Sequence, residues 1–538
     1  MRFFSFSSRP LLFSIVVLFS GPWVQSTHGE ETIREPDRAS VLAAMERATR
    51  FLVEEVSYRG GYVWSYLPDF SRRWGELEAR PTMIWVQPPG TPTVGELFLE
   101  AWSVTHDERY YEAARKAGEA LIAGQLPCGG WNYVIDFAGE DSLREWYATI
   151  GRNAWRLEEF HHYLGNATFD DDTTIAAAHF LLKLYLAKKD PDVKAALDRA
   201  IAFVLESQHE SGLWPQRYPA VSDADESVRY ASYLTLNDDV SSGNLLFLAE
   251  CHRVFGDPKF KDAIKRGMDG FVLVQHPRPQ AGWAMQYTPA LEPAGARSYE
   301  PKALVTHTTA RVIDLLIRFH ALTGDAKYLE PIPAALEWLE SCRLTTATRR
   351  HATHPTFIEV GTGKPLYLHR EGSNAVNGRY FADGTPEKLI GHYSSFRAID
   401  TRALQARYEQ ALQQPARAPG EDWKWDALLG ETEPIRERNP GPQPGRVGQI
   451  TDILDTLDER GRWLTPLTTT SHPYRGDGPR ERAEGDFSAT FVGDETDTSP
   501  FGADEPIAGI SLKTYLRNMT ELIAWLRTHP ESEKASSQ

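Results

Sequence analysis

The sequence predicts a fold dominated by α-helices: an α/α toroid, a barrel of helical hairpins, with long loops, some short strands and a loop-rich C-terminal extension. Two observations predict it. A segment of two helices joined by a short turn recurs through residues 90–345, and long loops separate its copies. Because a single hairpin cannot bury its apolar face alone, neighbouring copies must stack. The long loops favour a closed ring, since closure gathers all of them at one mouth.

The copies share the same landmarks. Each has an apolar helix, a turn that contains an aspartate, and a second helix with apolar residues spaced i, i+3 and i+4. Three copies, over 96–131, 176–214 and 244–283, then end in a glutamine followed by a Gly-Trp turn. A fourth begins at Arg311 without the final tryptophan, and residues 40–64 resemble half a copy.

The N-terminus has the features of an export signal. Residues 1–29 combine a basic start, a short apolar core and small residues near a cleavage point. The apolar run is shorter than the roughly 20 residues that span a bilayer, and no later stretch is apolar enough to do so. We therefore expect an exported protein, periplasmic or extracellular, whose toroid occupies residues 40–400.

The chain beyond residue 400 differs from the repeat. Residues 401–538 are expected to form a loop-rich extension, since the chain after Pro415 is polar and rich in Pro and Gly. Helical pieces are expected near 448–459 and 510–528, and irregular chain over 463–507.

The overall charge restricts the range of partners. Lys and Arg total 58 and Asp and Glu total 74, a formal net charge of −16. A nucleic-acid binder would carry a basic surface, so that class is disfavoured. Net charge governs solubility and long-range steering, so an anionic ligand at one local site is still allowed.

We expect the protein to be a monomer.

Two of the long loops carry acidic triplets directly before an apolar helix. The first is Asp170-Asp171-Asp172, and the second is Asn237-Asp238-Asp239 in the next copy. The side chains either cap the helix that follows or bind a hard cation such as Ca²⁺. If the ring is closed, equivalent loops face the same mouth, so Asp170 and Asp238 are able to converge on one cation.

Five loop motifs, in this order, resemble those of the pectate lyases of polysaccharide lyase family ten. TFDDDTT (168–174) is similar to T-I-D-N-x-A-T, GLWPQRYP (212–219) to G-G-W-P-Q-x-Y-P, YLTLNDDV (233–240) to H-I-T-F-N-D-x-A-M, GWAMQY…LEPAGARSYEP (282–301) to A-W-C-A-Q-H…L-x-P-A-W-A-R-A-Y-E-P, and PTFIEVGTGKPLYLHREG (355–372) to R-F-Y-E-x-x-T-x-x-P-I-F-x-G-R-D-G. The resemblance covers roughly residues 40–400.

The resemblance implies a toroid that cleaves polygalacturonate, an anionic polysaccharide, by β-elimination with Ca²⁺. Asp170 and Asp238 would be the metal-linked carboxylates, and Arg297 the base that takes the proton from C5. Positive charge on the uronate carboxylate would stabilise the enolate-like transition state. Free arginine is protonated at ordinary pH, so this role needs burial or neighbouring cations to lower the pKa of Arg297.

The same resemblance implies residues that bind the substrate. Arg370 would hold a substrate carboxylate, and Trp214, Gln216 and Tyr218 would shape the floor of the site. The family's arginine-rich stretch (E-R-R-x-G-Y) has no clear counterpart, and Arg379 is the nearest candidate for it. This departure leaves the preferred uronate polymer open.

Two other functions are compatible with the same residues. One is a non-catalytic uronate- or glycan-binding toroid derived from a lyase. The other is a glycoside hydrolase on the same fold, which would use two opposed carboxylates such as Asp170 and Asp238.

Overall fold

The computed structural model describes residues 36–530 except 153, 155–156, 222–225, 346–351, 372–378, 391–392, 415–421, 431–446 and 472–499. The predicted export signal, residues 1–29, lies outside the described residues. Within them, no helix has the length and apolar character needed to cross a membrane.

The predicted α/α toroid is confirmed. The helices are α1 (Arg38–Phe51), α2 (Thr91–Thr105), α3 (Glu108–Ala123), α4 (Glu140–Trp146), α5 (Thr173–Lys188), α6 (Pro191–Glu206), α7 (Val240–Phe255), α8 (Pro258–Leu273), α9 (Thr306–Thr323), α10 (Ile332–Ser341), α11 (Thr401–Leu412), α12 (Asp426–Leu429), α13 (Val447–Asp455) and α14 (Leu512–Thr528). Four hairpins pair α2 with α3, α5 with α6, α7 with α8 and α9 with α10, and α5 packs against both α2 and α7. The first helix of each hairpin therefore faces the interior of the ring.

The recurring aspartates fix the turn inside each hairpin. The first three stand just before the second helix, and the fourth stands before a 3₁₀ turn (Ala326–Tyr328) that precedes α10. Each carboxylate accepts a hydrogen bond from a backbone N–H of the turn that follows it. These pairs are Asp107 with Arg109, Asp190 with Asp192, Asp257 with Lys259 and Asp325 with Lys327. The capping bond satisfies a donor that the helix itself leaves free, so the same residue type recurs at each turn.

The recurring glutamines join each hairpin to the next. Each glutamine amide donates to a carbonyl in its own Gly-Trp turn and to a carbonyl of the following copy. The second acceptors are Ala196 for Gln125, Ala263 for Gln208 and Pro331 for Gln275. These bonds hold the turn at the end of each hairpin, and because they also connect successive copies, they stabilise the stacking of the hairpins.

The two ends of the chain together form a further helix pair of the ring. Helix α14 packs against both α1 and α2, and the hydroxyls of Tyr515 and Thr49 are 2.8 Å apart in the buried contact. The half copy expected over 40–64 is thus completed by a helix from the C-terminus. The boundary at residue 400 stays a prediction, but helix α14 of the extension packs within the helical ring.

Short antiparallel strands tie the loops together at one end of the ring. They are β1 (Ser65–Tyr66), β2 (Arg73–Trp74), β3 (Met83–Trp85), β4 (Val134–Asp136), β5 (Ala167–Thr168), β6 (Arg217–Tyr218), β7 (Leu234–Thr235), β8 (Gln286–Tyr287), β9 (Pro293–Ala294), β10 (Ala303–Val305), β11 (His354–Pro355), β12 (Phe357–Glu359), β13 (Pro365–Glu371), β14 (Arg379–Asp383), β15 (Phe396–Arg397), β16 (Leu464–Ser471) and β17 (Pro500–Ser511). The sheets follow the orders β16-β17-β1-β2, β10-β12-β13-β14, β7-β8-β9, β3-β4, β5-β6 and β11-β15. The irregular chain expected over 463–507 is wrong for its two ends, because β16 and β17 pair with each other there.

Candidate active site

The two acidic triplets form the same unusual turn. Each makes one turn of 3₁₀ helix, Asp170–Asp172 before α5 and Asn237–Asp239 before α7. Asp171 and Asp238 both have φ of 48°, and the aspartate that follows each one also has positive φ. Asp and Asn tolerate this left-handed backbone better than most side chains do. By backbone geometry, Asp238 therefore corresponds to Asp171, and Asp170 corresponds to Asn237.

Helix capping does not explain the triplets. Asp172 and Asp239 occupy the N-cap positions of α5 and α7, and neither side chain makes a capping hydrogen bond. Of the two interpretations of the sequence, capping is therefore wrong.

The guanidinium of Arg297 lies at the centre of the acidic loops. Its side chain is 6% exposed, and it forms ion pairs with Glu159 (3.4 Å), Asp170 (3.3 Å), Asp238 (3.4 Å) and Glu300 (3.1 Å). Glu159 and Asp170 come from the loop between the first and second copies, and Asp238 and Glu300 come from the two loops that follow. The structure thus brings together Arg297, Asp170 and Asp238, which were predicted from separate motifs.

A second layer of hydrogen bonds holds this cluster in place. The carboxylate of Glu300 accepts from the backbone N–H of Arg297 at 3.0 Å and from the hydroxyl of Tyr393 at 2.8 Å. The hydroxyl of Tyr133 donates to Asp170 at 2.6 Å, and Gln216 hydrogen-bonds the same carboxylate. With these bonds the central side chains are positioned before any ligand arrives.

The acids outnumber the base, and their pKa values reflect it. Burial, with repulsion from Glu76 and Asp170 added, raises the pKa of Glu159 to about 8 although Arg297 opposes the shift. Burial and the charge of Asp170 raise the pKa of both Asp171 and Asp238 well above the usual range. The site therefore carries more carboxylates than one guanidinium neutralises.

Asp170 and Arg297 form the ionised pair at the centre. Burial works against ionisation of Asp170, but the Arg297 charge and the Tyr133 hydroxyl hold its pKa below the usual range. The pKa of Arg297 is raised well above its usual range, because Asp170 and Glu300 outweigh its burial. In this arrangement the anions around Arg297 hold its pKa high, so the lowered pKa that the role of base needs stays a prediction.

The donor set fits a hard cation such as Ca²⁺, which prefers carboxylate oxygens. One oxygen of Asp170 is buried with no hydrogen-bond partner among the described residues. Asp171 and Asp238 are acids that Arg297 neutralises only in part. In the described part of the chain, no three His, Cys, Asp or Glu side chains are already gathered as a metal site. A cation held by Asp170 and Asp238 would thus need water or substrate oxygens as further ligands.

The residues predicted for the floor of the site lie in different environments. Trp214 is fully buried and donates its indole N–H to the carbonyl of Val204 at 2.7 Å, so it supports the loop from beneath and presents no surface to a ligand. The side chain of Gln216 hydrogen-bonds the carboxylate of Asp170. Tyr218 is half-buried on β6, and its ring contacts that of Phe203.

The two other predicted arginines lie on neighbouring strands. Arg370 is on β13 opposite Tyr380, and Arg379 is on β14 opposite Glu371. Their side chains fall outside what the structure describes, so their substrate-binding roles stay predictions. The strands join the mouth of the ring through β12 and β10, which leads directly into α9.

Three residues of the cluster carried no recognisable signal in the sequence. Glu159 lies in a short 3₁₀ turn outside the repeat and outside the motifs, and Tyr133 follows a Gly-Trp turn in a loop with no charge pattern. Tyr393 lies beyond the last motif. Each of the three is more than 90 residues from Arg297 in the sequence. They come close to Arg297 only because the helices close into a ring.

The fold and the site together place this protein in the class of helical toroids whose site is built from the loops at one end of the ring. The sequence model of the pectic acid lyase family matches residues 144–375, which include every member of the central cluster except Tyr133 and Tyr393. The resemblance predicted from the loops is confirmed over this stretch. The match indicates a polysaccharide lyase in general terms.

Several solved structures share a similar outline. A mutant of a family 10 polysaccharide lyase from Cellvibrio cellulosa, in complex with trigalaturonic acid, is 16% identical, with 60% of this chain and 99% of that chain covered and a TM-score of 0.39. Another structure of family 10 polysaccharide lyase from the same organism is 18% identical, with 51% and 84% covered and a TM-score of 0.35. A GH76 α-mannanase from Bacteroides thetaiotaomicron is 11% identical, with 90% and 94% covered and a TM-score of 0.33. At these values the likeness says nothing about what this chain binds. Among curated proteins, no sequence matches this chain.

Proposed function

We propose that this protein is an exported, calcium-assisted polysaccharide lyase that cleaves polygalacturonate or a related uronate polymer by β-elimination. One observation carries the proposal: the guanidinium of Arg297 is buried against Asp170 and Asp238, which belong to the two equivalent turns at the mouth of the ring. The family match over residues 144–375 supports the reaction class. Export is proposed from the composition of residues 1–29.

The reaction begins with removal of the C5 proton of a uronate, next to its carboxylate. When bound, a cation would be held by Asp170 and Asp238 and would supply positive charge that stabilises the uronate carboxylate as negative charge builds up on it. With these two carboxylates engaged, Arg297 would lose two of its four anionic partners, and its pKa would fall. Glu300 accepts hydrogen bonds from the Nε and from the backbone N–H of Arg297, so the base stays in position to accept the C5 proton. The electron pair of the C5–H bond forms the C4=C5 double bond as the C4–O bond breaks, and the leaving oxygen takes a proton from solvent.

The test is the ultraviolet absorbance of the unsaturated product formed from polygalacturonate, with and without a chelator. We expect product with Ca²⁺, none after chelation, and none from Arg297→Lys, which keeps the charge but changes the geometry of the donors. Asp257→Asn, at a helix cap outside the site, is the matched control and should keep the wild-type rate. Absence of product on pectate, alginate and other uronate polymers would overturn the proposal.

One observation favours a second function, a uronate-binding toroid without catalysis. The anions around Arg297 raise its pKa well above its usual range, which opposes proton abstraction and so favours a protein that does not catalyse the cleavage. Calorimetry with polygalacturonate tests this alternative: binding without bond cleavage over a long incubation supports it, and release of unsaturated product excludes it.

A further inference from the structure

A cavity of about 840 Å³ lies on the inner side of the helical ring. One face each of α2, α5, α7 and α9 lines it, and these are the first helices of the four hairpins. Its volume is within the range of small-ligand pockets, roughly 300–1,000 Å³. The cluster around Arg297 is not part of its lining, so it is a separate feature from the candidate active site.

The turns that build the active site also supply one end of this cavity. Asp172 and Asp239 line the cavity. The residues just before them, Asp171 and Asp238, interact electrostatically with Arg297 in the active-site cluster. Each of the two turns therefore places one aspartate at the cavity and the preceding aspartate at the active site. Ser242 donates to the carboxylate of Asp239 at 3.1 Å, which leaves that carboxylate capacity to accept further hydrogen bonds.

Most other charges in the lining are already paired across helices. Lys183 and Glu96 are 2.7 Å apart, His179 and Glu250 are 3.0 Å apart, and Asp314 pairs with Arg407. Each of these pairs crosses between two helices. Arg318, which also lines the cavity, donates to the carbonyl of Leu428.

Arg311 on α9 differs from them. Its side chain lines the cavity, and its guanidinium makes no hydrogen bond or ion pair with any part of the chain that the structure describes. A partly buried guanidinium without an anion offers up to five donors in a planar fork that matches a carboxylate. The cavity thus has an unneutralised cation on α9 and carboxylates on the turns of α5 and α7.

We propose that this cavity is a second binding site, for a mono- or disaccharide sugar acid. The carboxylate of the sugar acid pairs with Arg311, and its hydroxyls donate to Asp172 and Asp239. Its identity as a galacturonate-type product rests on the proposed function, since a lyase of that class releases short uronates at the mouth of the same ring. The cavity then retains a product directly behind the turns that carry the active site.

Gly243 provides a way to fill the cavity without touching the active site. It lines the cavity on α7, and a Cβ added there would meet only one oxygen of Asp172, at 3.6 Å. Gly243→Leu therefore starts its side chain at the cavity wall without a backbone clash. Arg311→Gln removes the charge and keeps a polar side chain, and Arg50→Gln, an exposed arginine on α1, is the matched control.

The experiment is isothermal titration calorimetry of the full chain with D-galacturonate, and with D-galactose as the uncharged probe. We expect the wild-type protein and Arg50→Gln to bind galacturonate at a site that galactose does not fill. Gly243→Leu should lose this site, and Arg311→Gln should weaken it at least tenfold. Unchanged galacturonate isotherms in both variants would overturn the proposal, as would equal binding of galactose. If Gly243→Leu does not fold, as judged by circular dichroism, the Arg311→Gln arm decides.

The two proposals can fail separately. Cavity binding that is sensitive to Gly243→Leu, in a protein that forms no unsaturated product, leaves the cavity site standing and removes the lyase function. Product formation from polygalacturonate, together with galacturonate isotherms that neither variant changes, leaves the lyase and removes the cavity site.

Discussion

Asp171 and Asp238 occupy the same position in two successive turns of the ring, each with φ of 48° and each followed by a second aspartate with positive φ. The pKa of each is raised well above its usual range, first by burial and then by the charge of Asp170, and Asp238 further raises that of Asp171. Repetition of one turn therefore concentrates like charges around one guanidinium. Such a site loses stability to repulsion and gains an affinity for cations.

Asp171→Asn should stabilise the protein at neutral pH in the presence of a chelator. The pKa of Asp171 is higher in the folded state, so its stability penalty is absent below about pH 4 and grows as the pH rises toward the folded-state pKa. The asparagine still accepts the bond from Gln87, which is 2.8 Å long in the wild-type protein. We expect a gain of about 1–2 kcal/mol at pH 7, measured by denaturant unfolding.

The control for this prediction is Asp192→Asn, an exposed acid in the first turn of α6. It should show no comparable gain. A gain for Asp171→Asn that is the same at pH 4 and pH 7 would contradict electrostatic repulsion as its cause.

Arg297→Ala should lower stability as well as activity. The substitution leaves Glu159, Asp170 and Glu300 buried without their cation, and breaking a buried ion pair costs about 3–5 kcal/mol. Without Arg297 the folded-state pKa values of these acids rise, so the loss should be large at pH 8 and smaller at pH 5, where protonation relieves it. Thermal unfolding of the variant at the two pH values checks this, with Arg50→Ala as the exposed control; equal losses at both pH values would contradict it.

Glu159→Gln should flatten the dependence of stability on pH between about pH 5 and pH 8. The pKa of Glu159 is raised to about 8, so the wild-type protein is destabilised progressively as the pH rises through this window. The glutamine has no charge to bury, so its stability relative to wild type should improve toward pH 8. Unfolding free energies at several pH values measure the effect, and an advantage that shrinks as the pH rises would contradict it.

The repeat was predictable because its landmarks act locally. Asp190 caps the helix beside it, and Gln208 bonds to its own turn and to the next copy, so a fixed residue type recurs at a fixed place. The convergence of Asp170 and Asp238 was predictable because equivalent loops of a closed ring face the same mouth, whereas Arg297 was predicted only from the resemblance to the pectate lyases.

Contacts that cross the ring were not predictable from the sequence. Glu159 meets Arg297 across more than 130 residues, and no motif or period marks it. Asp238 is equivalent in position to Asp171 and not to Asp170. This equivalence depends on left-handed backbone angles, which the residue types allow but do not specify. Helix α14 lacks the turn aspartate and the Gly-Trp landmark, so its place in the ring was not visible either.

Met519→Ala tests whether α14 is part of the ring or of a separate extension. Met519 is fully buried on α14, the helix that packs against α1 and α2, so its truncation should cost about 2–5 kcal/mol. Because α14 completes a pair with the N-terminal helix, the loss should appear in the main cooperative unfolding transition rather than in a small early one. Lys513→Ala, on the exposed side of the same helix, is the control and should change stability by less than about 0.5 kcal/mol. Calorimetric unfolding distinguishes the outcomes: a main transition unchanged by Met519→Ala would mean that the ring holds together without its C-terminal helix.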